Sequence, residues 1–338
     1  MLVRYLLILI AVLLSFGQPV QAEKQAVREF IIDTDVGPDD VIALAYFIKQ
    51  PNIKIKAIAV DGDGNAHRDA AYANTMSILK LLNRSDIPVA AGRANSYPGG
   101  HSFSAAVMHD MDTLGGLALN KENLETPKQT AKELMIETLT SSDHPINILA
   151  IGPLTTIAEV LTEKPNLKSK IKMIYEMGGA VQTEGNIFTV NNKSTNHAAE
   201  WNIYFDPLAA KIVFQTGVPI TLIPLDATNQ VRINDKFYQQ IKNHHKTPAA
   251  KLVYDLLTLN KKFLYSNTWY FWDPMAAVVA ADESVATIKT LPLTVLLSPE
   301  DKAGGTVIDK KNGNNIRVCM KVNAIKFKEN LLRGLSIP

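Results

Sequence analysis

The chain has 338 residues, of which 46% are hydrophobic and 20% are charged, and its formal net charge is +2. These values are close to those of soluble globular proteins and exclude fibrous and disordered chains. Lysine and arginine are scattered along the sequence instead of forming a basic stripe, so the charge pattern gives no indication of nucleic-acid binding.

The first residues have the pattern of a targeting segment. Arg4 precedes an apolar run over residues 5–16, and a small-residue pattern ending at Ala22 follows. This order is typical of a secretory signal peptide. The apolar run is shorter than the roughly 20 residues that cross a bilayer, and no later segment is long and apolar enough to span one. We therefore expect cleavage of residues 1–22 and export of the mature protein, residues 23–338, to the periplasm or the medium.

Cys319 is the only cysteine. An exported protein with one thiol forms no internal disulfide, and a zinc site built from several thiolates is excluded. We therefore expect stability to come from the hydrophobic core.

After the targeting segment, apolar stretches of strand length alternate with segments of helical period. This alternation predicts an α/β fold with an open, mostly parallel sheet and helices on both faces. The predicted strands are residues 30–33, 53–60, 88–90, 146–151, 172–177 and 220–223. The predicted helices between them are residues 41–48, 67–82, 128–140, 155–161 and 207–215.

The C-terminal third is richer in helical spacing. We find no repeat and no low-complexity linker, so we predict a single domain with added helices in this third. The predicted elements are helices at residues 234–267, with a break at 247–248, and 273–281, a strand at 316–322 and a helix at 324–332.

Two connections, residues 92–126 and 178–202, are longer than the usual loops of compact domains. Open parallel sheets bind ligands at the carboxyl ends of their strands. These two segments are therefore candidate active-site loops.

Four aspartates lie where the first predicted strand ends and a helix begins: Asp33, Asp35, Asp39 and Asp40. Crowded carboxylates raise one another's pKa unless a cation or donors compensate. The helix N-terminus compensates in part, and a hard cation, calcium or magnesium, would supply the rest. The alternative is one capping aspartate and several solvated ones. Gly37 and Pro38 predict a tight turn after an apolar strand, which favours the metal site.

A second polar segment contains Glu200, Trp201 and Asn202. If this segment is extended, Glu200 and Asn202 lie on one side and Trp201 on the other. Glutamate with asparagine suits the hydroxyl groups of a sugar. The alternative is a loop packed by Trp201 with its polar residues in solvent.

A third segment, Trp272-Asp273-Pro274, has the pattern of a helix start, with Asp273 at the N-cap and Pro274 at the first helical position. By itself this is an ordinary capping pattern.

Taken in chain order, these motifs resemble the inosine–uridine type nucleoside hydrolase family over nearly the whole of residues 23–338. The residues that carry the resemblance are Asp33-Thr34-Asp35-Val36-Gly37-Pro38-Asp39-Asp40, Asp61-Gly62-Asp63-Gly64-Asn65, Ile151-Gly152-Pro153-Leu154-Thr155, Met177-Gly178-Gly179, Glu200-Trp201-Asn202 and Trp272-Asp273-Pro274.

The resemblance implies an α/β enzyme that holds one calcium ion and hydrolyses the N-ribosyl bond of nucleosides. Asp35 would be the general base that takes a proton from a calcium-bound water, and Asp33 would support the turn. The family also implies a homodimer or homotetramer. The implied calcium ligands are Asp35, Asp40, the main-chain carbonyl of Ile151 and Asp273. The implied substrate-binding residues are Asp39, Asn65, Met177, Asn186, Glu200, Trp201, Asn202 and Trp272.

The residue before Asp273 narrows the expected substrate. Many members of the family carry a histidine there to protonate the departing base, whereas this chain has Trp272. A tryptophan cannot act as a general acid, but it can stack on a purine. Trp272 and the runs Met-Gly-Gly-Ala and Ala-Glu-Trp-Asn-Ile-Tyr are similar to the purine-specific inosine–adenosine–guanosine branch. We therefore expect purine ribonucleosides as substrates.

Two alternatives remain open at this point: a pyrimidine or broad-specificity ribonucleoside hydrolase, and an exported nucleoside-binding protein without catalysis. The second stacking tryptophan of the purine-specific branch, expected after Gly92, is absent from this chain. Tyr97, His101 or Phe103 could replace it.

Overall fold

The computed structural model describes residues 26–190, 194–266 and 268–337. The predicted signal peptide, residues 1–22, lies outside these ranges and stays a prediction, as does the single-domain organisation. Within the described ranges, no helix has both the length and the apolar character needed to cross a bilayer.

One sheet forms the centre of the described part. Its strands are β1 (Arg28–Thr34), β2 (Ile53–Val60), β3 (Val89–Ala91), β4 (Ile146–Ala150), β5 (Ile171–Met177), β6 (Ile220–Ile223), β7 (Ala286–Val295), β8 (Thr306–Ile308) and β9 (Asn314–Val322). In the described residues these nine strands follow the order β3-β2-β1-β4-β5-β6-β9-β7-β8. Neighbouring strands in the run β3-β2-β1-β4-β5-β6-β9 are all parallel. Strand β7 is antiparallel to both of its neighbours, β9 and β8. The prediction of an open, mostly parallel sheet is confirmed.

Helices cover both faces of this sheet, as predicted. They are α1 (Pro38–Phe47), α2 (Arg68–Leu81), α3 (Ala105–Thr113), α4 (Ala131–Ser141), α5 (Thr155–Glu163), α6 (Ile187–Val190), α7 (Trp201–Phe205), α8 (Pro207–Gln215), α9 (Leu225–Thr228), α10 (Asp235–His244), α11 (Pro248–Leu259), α12 (Lys261–Ser266), α13 (Trp272–Ala281) and α14 (Ala324–Leu335). Successive residues of a strand point to opposite faces. On β1, Phe30 and Ile32 pack with α1, α2, α10, α11, α13 and α14, whereas Ile31 packs with α4, α5 and α8.

Strands β7 and β8 were not predicted from the sequence. β7 is half-exposed along most of its length, carries Lys289 and contains Pro292, so it lacks the continuous apolar run of the buried parallel strands. Its position beside the sheet edge explains this composition. Short helices also occupy the two connections expected to be loops: α3 lies in the first, and α6 and the start of α7 lie in the second.

The strand order reverses between β1 and β4, because β2 and β3 lie on one side and β5 and β6 on the other. Connections that leave the carboxyl ends of two such strands diverge and open a crevice. Asp35 is the first residue after β1, and Ile151 is the first residue after β4. The backbone N–H of Ile151 donates to the carbonyl of Asp33 at 2.8 Å, which ties the two strand ends together.

Candidate active site

The turn between β1 and α1 gathers the aspartates. Val36 has φ of +61°, in the left-handed region that a β-branched residue rarely adopts. Gly37, which follows it, has extended backbone at the N-cap of α1. Its lack of a side chain still matters, since a Cβ there would lie 2.6 Å from Nδ2 of Asn65. The tight turn was therefore predicted correctly, but the strained residue is Val36.

Asp40 lies in the first turn of α1 and is fully buried. Its Oδ2 accepts a hydrogen bond from the backbone N–H of Gly37 at 2.8 Å, and its Oδ1 accepts one from the hydroxyl of Thr34. These donors orient both oxygens. Burial is the main cause that raises the pKa of Asp40, and these hydrogen bonds oppose it.

Asp35 is fully buried and is held by a single neighbour. Its Oδ2 accepts from the backbone N–H of Asn65 at 2.8 Å, and its Oδ1 accepts from Nδ2 of Asn65 at 2.9 Å. A Cβ on Gly64 would lie 2.1 Å from Oδ2, so the loop can approach only as glycine. Burial raises the pKa of Asp35 well above its usual value, and the charges of Asp40 and Asp39 add to the rise.

Asp33 faces the opposite side of the sheet from Phe30 and Ile32 and is fully buried. Burial raises its pKa to about 7, with Asp61 as a hydrogen-bonding neighbour. In the described part of the chain, neither of its side-chain oxygens has an N–H or O–H donor. The contact with Asp61 is therefore favourable when one of the two carboxyl groups carries a proton.

Asp39, Asp40 and Asp273 each offer a carboxylate oxygen, and these oxygens all lie within 4.8 Å of one another. Burial raises the pKa of Asp39 to about 7 and that of Asp273 well above its usual value. The groups that act on Asp273 after burial are the carboxyl groups of Asp39, Asp40 and Asp35. A bound cation would relieve this repulsion, and an all-oxygen donor set fits calcium or magnesium.

The carboxylates of this group differ from those of the implied ligand set in one residue. Asp39, assigned to ribose, completes the group with Asp40 and Asp273, while Asp35 lies beside it and acts on Asp273 through its charge. Both oxygens of Asp35 accept hydrogen bonds from Asn65.

Asp273 does not cap its helix, so that prediction was wrong. Helix α13 begins at Trp272, its N-cap is Phe271, and no side chain bonds to the cap position. Asp273 is therefore the second helical residue and Pro274 the third. The carboxyl group of Asp273 lies with Asp39 and Asp40, where it is unable to serve its own helix end.

The segment around Glu200 is also not extended as expected. It forms α7, and Glu200 caps it by accepting from the backbone N–H groups of Asn202 at 3.0 Å and Ile203 at 3.3 Å. Glu200 also accepts from the N–H of Gly179 at 3.0 Å. Burial raises its pKa to about 7 against these donors. Asn202 donates from Nδ2 to the carbonyl of Met177 at 2.9 Å, which joins α7 to the end of β5.

A cavity of about 220 Å³ opens beside the acidic group. Asp35, Asp40 and Ile151 are fully buried and do not line it. The predicted site residues that line it are Asp39, Asn65, Met177, Asn186, Glu200, Trp201, Asn202, Trp272 and Asp273. The others are Pro38, Phe103, Met111, Thr189, Phe263, Thr268 and Trp269.

Aromatic rings form one wall of this cavity. Trp272 is half-buried, and its Nε1 donates to Oδ1 of Asn229 at 3.3 Å. Of the three residues considered as a second stacking group, only Phe103 lines the cavity; its ring centroid is 4.3 Å from that of Trp201. His101 instead stacks on Tyr204 at 3.7 Å. Among the described residues lining the cavity there is no histidine.

Sequence reasoning missed Phe263, Thr268 and Trp269. These residues belong to the run from Phe263 to Trp272, which is dense in aromatic residues and directly precedes Asp273. That density is a signal that could have placed this run at the cavity.

A family model described as inosine-uridine preferring nucleoside hydrolase matches residues 30–329. The chain is 37% identical over 244 residues to the pyrimidine-specific ribonucleoside hydrolase RihA of Shewanella sp. (strain MR-7), covering 72% of this chain and 73% of that protein.

Two solved structures share the fold. A plant nucleoside hydrolase, PpNRh1, aligns with a TM-score of 0.79 at 26% identity, covering 92% of this chain and 99% of that one. A purine-preferring ribonucleoside hydrolase from Gardnerella vaginalis aligns with a TM-score of 0.79 at 24% identity, covering 91% and 98%. The second likeness supports the fold alone.

Proposed function

This chain belongs to the inosine-uridine preferring nucleoside hydrolase family and is an N-glycosyl hydrolase, and we propose that it cleaves purine ribonucleosides into free base and ribose. The observation that carries this proposal is one cavity lined both by acidic residues of a metal-compatible group and by several aromatic residues. The first suits the ribose and the reacting bond, and the second suits the base.

We propose calcium as the ion. Asp39, Asp40 and Asp273, whose carboxylate oxygens lie together, would hold it. The resemblance to the family adds Asp35 and the main-chain carbonyl of Ile151 as ligands, and the charge of Asp35 acts on Asp273. The raised pKa values of these buried acids support a resident cation, because each would be costly to ionise without one. When bound, calcium supplies a water of lowered pKa and coordination positions for ribose hydroxyl groups.

The chain's own residues then perform the proton transfer and the positioning. Asp35 accepts the proton of the attacking water as general base. The two donors of Asn65 fix the orientation of its carboxylate and favour the charged form. Asp39, Glu200 and Asn202 hold the ribose, with Met177 beneath it and Asn186 and Trp201 at the rim. Held in this way, the sugar can reach the oxocarbenium-like transition state of glycoside hydrolysis.

The aromatic wall supports the purine preference. Trp272 presents a partly exposed indole to the cavity, and Phe103 and Trp269 line the same space. A bicyclic base offers a larger face for offset stacking than a monocyclic one. The second candidate function is pyrimidine hydrolysis, which the 37% identity to a pyrimidine-specific relative favours.

Steady-state kinetics with inosine, guanosine, uridine and cytidine separates these candidates. We expect kcat/KM for inosine and guanosine to exceed that for uridine at least about tenfold, equal to about 1.4 kcal/mol of transition-state stabilisation. Faster uridine turnover would overturn the purine preference and leave the reaction standing. Tight binding of inosine without release of base from any substrate would instead identify a non-catalytic nucleoside-binding protein.

We also propose that the protein is exported to the periplasm or the medium, where it hydrolyses nucleosides for salvage. The apolar segment and small-residue pattern before Ala22 support this. N-terminal sequencing of protein from fractionated cells tests it, and the expected first residue is Glu23. A homodimer or homotetramer stays a prediction, which light scattering on the purified protein would check.

A further inference from the structure

A single hydroxyl group lies between two buried carboxyl groups, away from the proposed metal ligands. Oγ1 of Thr155, the first residue of α5, is 2.7 Å from Oδ2 of Asp63 and 2.9 Å from Oδ2 of Asp206. All three side chains are buried. The residues come from three connections: the one after β2, the one after β4, and the junction of α7 with α8.

The Thr155 hydroxyl makes two short contacts, and the number of hydrogens available for them limits the protonation state of the two carboxyl groups. A threonine hydroxyl has one hydrogen and can donate to only one of the two carboxyl groups. Asp206 also accepts from the N–H groups of Tyr97 at 2.8 Å and Ala209 at 2.9 Å, so both of its oxygens act as acceptors. In the described part of the chain, Oδ1 of Asp63 has no partner. Both short distances are satisfied when Asp63 carries a proton and donates to Thr155, which donates to Asp206.

The charges around Asp63 also favour its protonated form. Burial, and after it the charge of Asp206, raise the pKa of Asp63 to about 7 against the opposing effects of the Thr155 hydrogen bond and the charge of Arg93. Asp33 and Asp61 face it from β1 and the end of β2, and both are acidic. Asp63 also lines a separate cavity of about 590 Å³, through which it can exchange a proton with solvent. The other titratable residues lining that cavity are His67, Arg68, Asp69 and His101.

Two of the three connections carry or adjoin substrate-binding residues of the proposed site. Asp63 lies two residues before Asn65, which holds Asp35. Asp206 directly follows α7, which carries Trp201 and Asn202.

We propose that Asp63, Thr155 and Asp206 form a clamp that positions these segments for nucleoside binding and that is closed only while Asp63 is protonated. This inference rests on the proposed function, because it assumes that the segments hold the ribose. When Asp63 ionises, two negative charges face one hydroxyl group, and their repulsion separates the segments. The clamp residues are positioning residues and do not touch the substrate.

The clamp predicts a specific split between KM and kcat. An open clamp lowers the fraction of enzyme competent to bind, and a saturating substrate restores the closed form. Between pH 7.0 and 8.5 the protonated fraction of Asp63 falls from about one half to about 3%, so KM for inosine rises about tenfold or more. Over the same interval, kcat changes less than about twofold.

Matched variants test the clamp on the calcium-loaded, full mature chain. Asp63→Asn keeps a donor for Thr155 without a charge, so its KM should stay within about twofold between pH 7.0 and 8.5. Thr155→Ser keeps the hydroxyl and should follow the wild-type profile. Thr155→Val removes it and should raise KM already at pH 7.0. An alkaline rise of KM in Asp63→Asn equal to that of the wild type would overturn the clamp.

A readout without substrate separates this inference from the proposed function. A raised pKa of Asp63 means that the folded protein loses stability relative to the unfolded chain as pH rises from about 4 to about 7. The Tm of wild type should therefore fall more between pH 5.0 and 8.0 than that of Asp63→Asn. If no nucleoside is hydrolysed but the Tm of wild type falls more than that of Asp63→Asn, the proposed function is wrong and the protonation of Asp63 is still supported. If Asp63→Asn does not fold, a flat wild-type KM between pH 7.0 and 8.5 overturns the clamp.

Discussion

The two sides of the proposed site are built differently. The acidic side is formed by residues at the carboxyl end of β1 and the first turns of α1 and α13, and its aspartates are almost all fully buried. The aromatic side is formed by side chains from connections and from short or half-exposed helices, including Phe103 and Phe263. Trp272 and Asp273 are neighbours in sequence, yet one belongs to each side.

This difference indicates that the acidic side determines the reaction and that the aromatic side determines which base is accepted. The acidic side is fixed by the sheet, because moving Asp35 or Asp40 would require shifting β1 or α1 within the core. The aromatic side can change by substitution of loop residues without disturbing the sheet. We therefore expect substitutions on the acidic side to abolish the reaction, and those on the aromatic side to change the choice of base.

The largest effect should come from Asp35→Asn. Removal of the general base should lower kcat by up to about 10⁴-fold, which corresponds to about 5.5 kcal/mol. Release of free base and ribose from inosine measures this. The exposed Asp86→Asn, whose carboxyl pairs with Arg84, serves as the matched control and should leave kcat unchanged. Undiminished activity of Asp35→Asn would remove this residue from its proposed role.

Removal of the metal should have the next largest effect. A cation bound at about 1,000 times its Kd stabilises the folded state by about 4 kcal/mol. For a domain of this size that corresponds to a fall in Tm of roughly 8 °C on chelation, with loss of turnover. Calorimetry and activity, followed by refilling with calcium, magnesium or zinc, identify the ion. Unchanged Tm and turnover after thorough chelation would contradict the calcium proposal.

On the aromatic side, Trp272→Ala should lower kcat/KM for inosine about tenfold and for uridine less than about threefold, because a stacked ring pair contributes roughly 0.5–1.5 kcal/mol beyond its buried area. Tyr265→Ala, an exposed aromatic residue outside the cavity, is the control and should change neither value. Equal losses for both substrates would show that Trp272 supports the fold of the site and does not select the base.

The smallest effect concerns Glu200 in the chelated protein. Burial raises its pKa to about 7 from 4.5, so its contribution to stability is full below about pH 4.5 and is lost as pH rises through 7. Glu200→Gln removes this charge while keeping an oxygen that accepts the N–H groups of α7. The fall in Tm between pH 5.0 and 8.0 should therefore be smaller, by about 2–4 °C, in the variant. An identical fall would show that Glu200 does not titrate in this range.

The same contrast explains what the sequence could predict. The strands β1, β2, β4, β5 and β6 were found because mainly apolar stretches of strand length alternate with segments of helical period. The aspartates after β1 could be placed because parallel strand ends meet at one edge of the sheet. Both predictions depend on local pattern alone.

The errors arise where contacts distant in sequence decide the conformation. Asp273 has the local pattern of a cap, but its carboxyl group lies with those of Asp39 and Asp40, which are distant in sequence. The segment after Glu200 forms a helix because Glu200 accepts its N–H groups and is itself held by Gly179. Trp269 reaches the cavity through the path of α12 and the residues after it, and no periodicity marks that path.

The backbone of Val36 has a consequence for the order in which the protein opens. A β-branched residue at φ of +61° stores about 1–3 kcal/mol of strain, and it lies among buried acids that repel one another without a cation. Amide hydrogens at the centre of a sheet normally exchange slowest with solvent. In the metal-free protein, the amides of residues 35–37, 39 and 40 should exchange ahead of those of β4 and β5, so the turn that carries the aspartates would open before the central strands of the sheet.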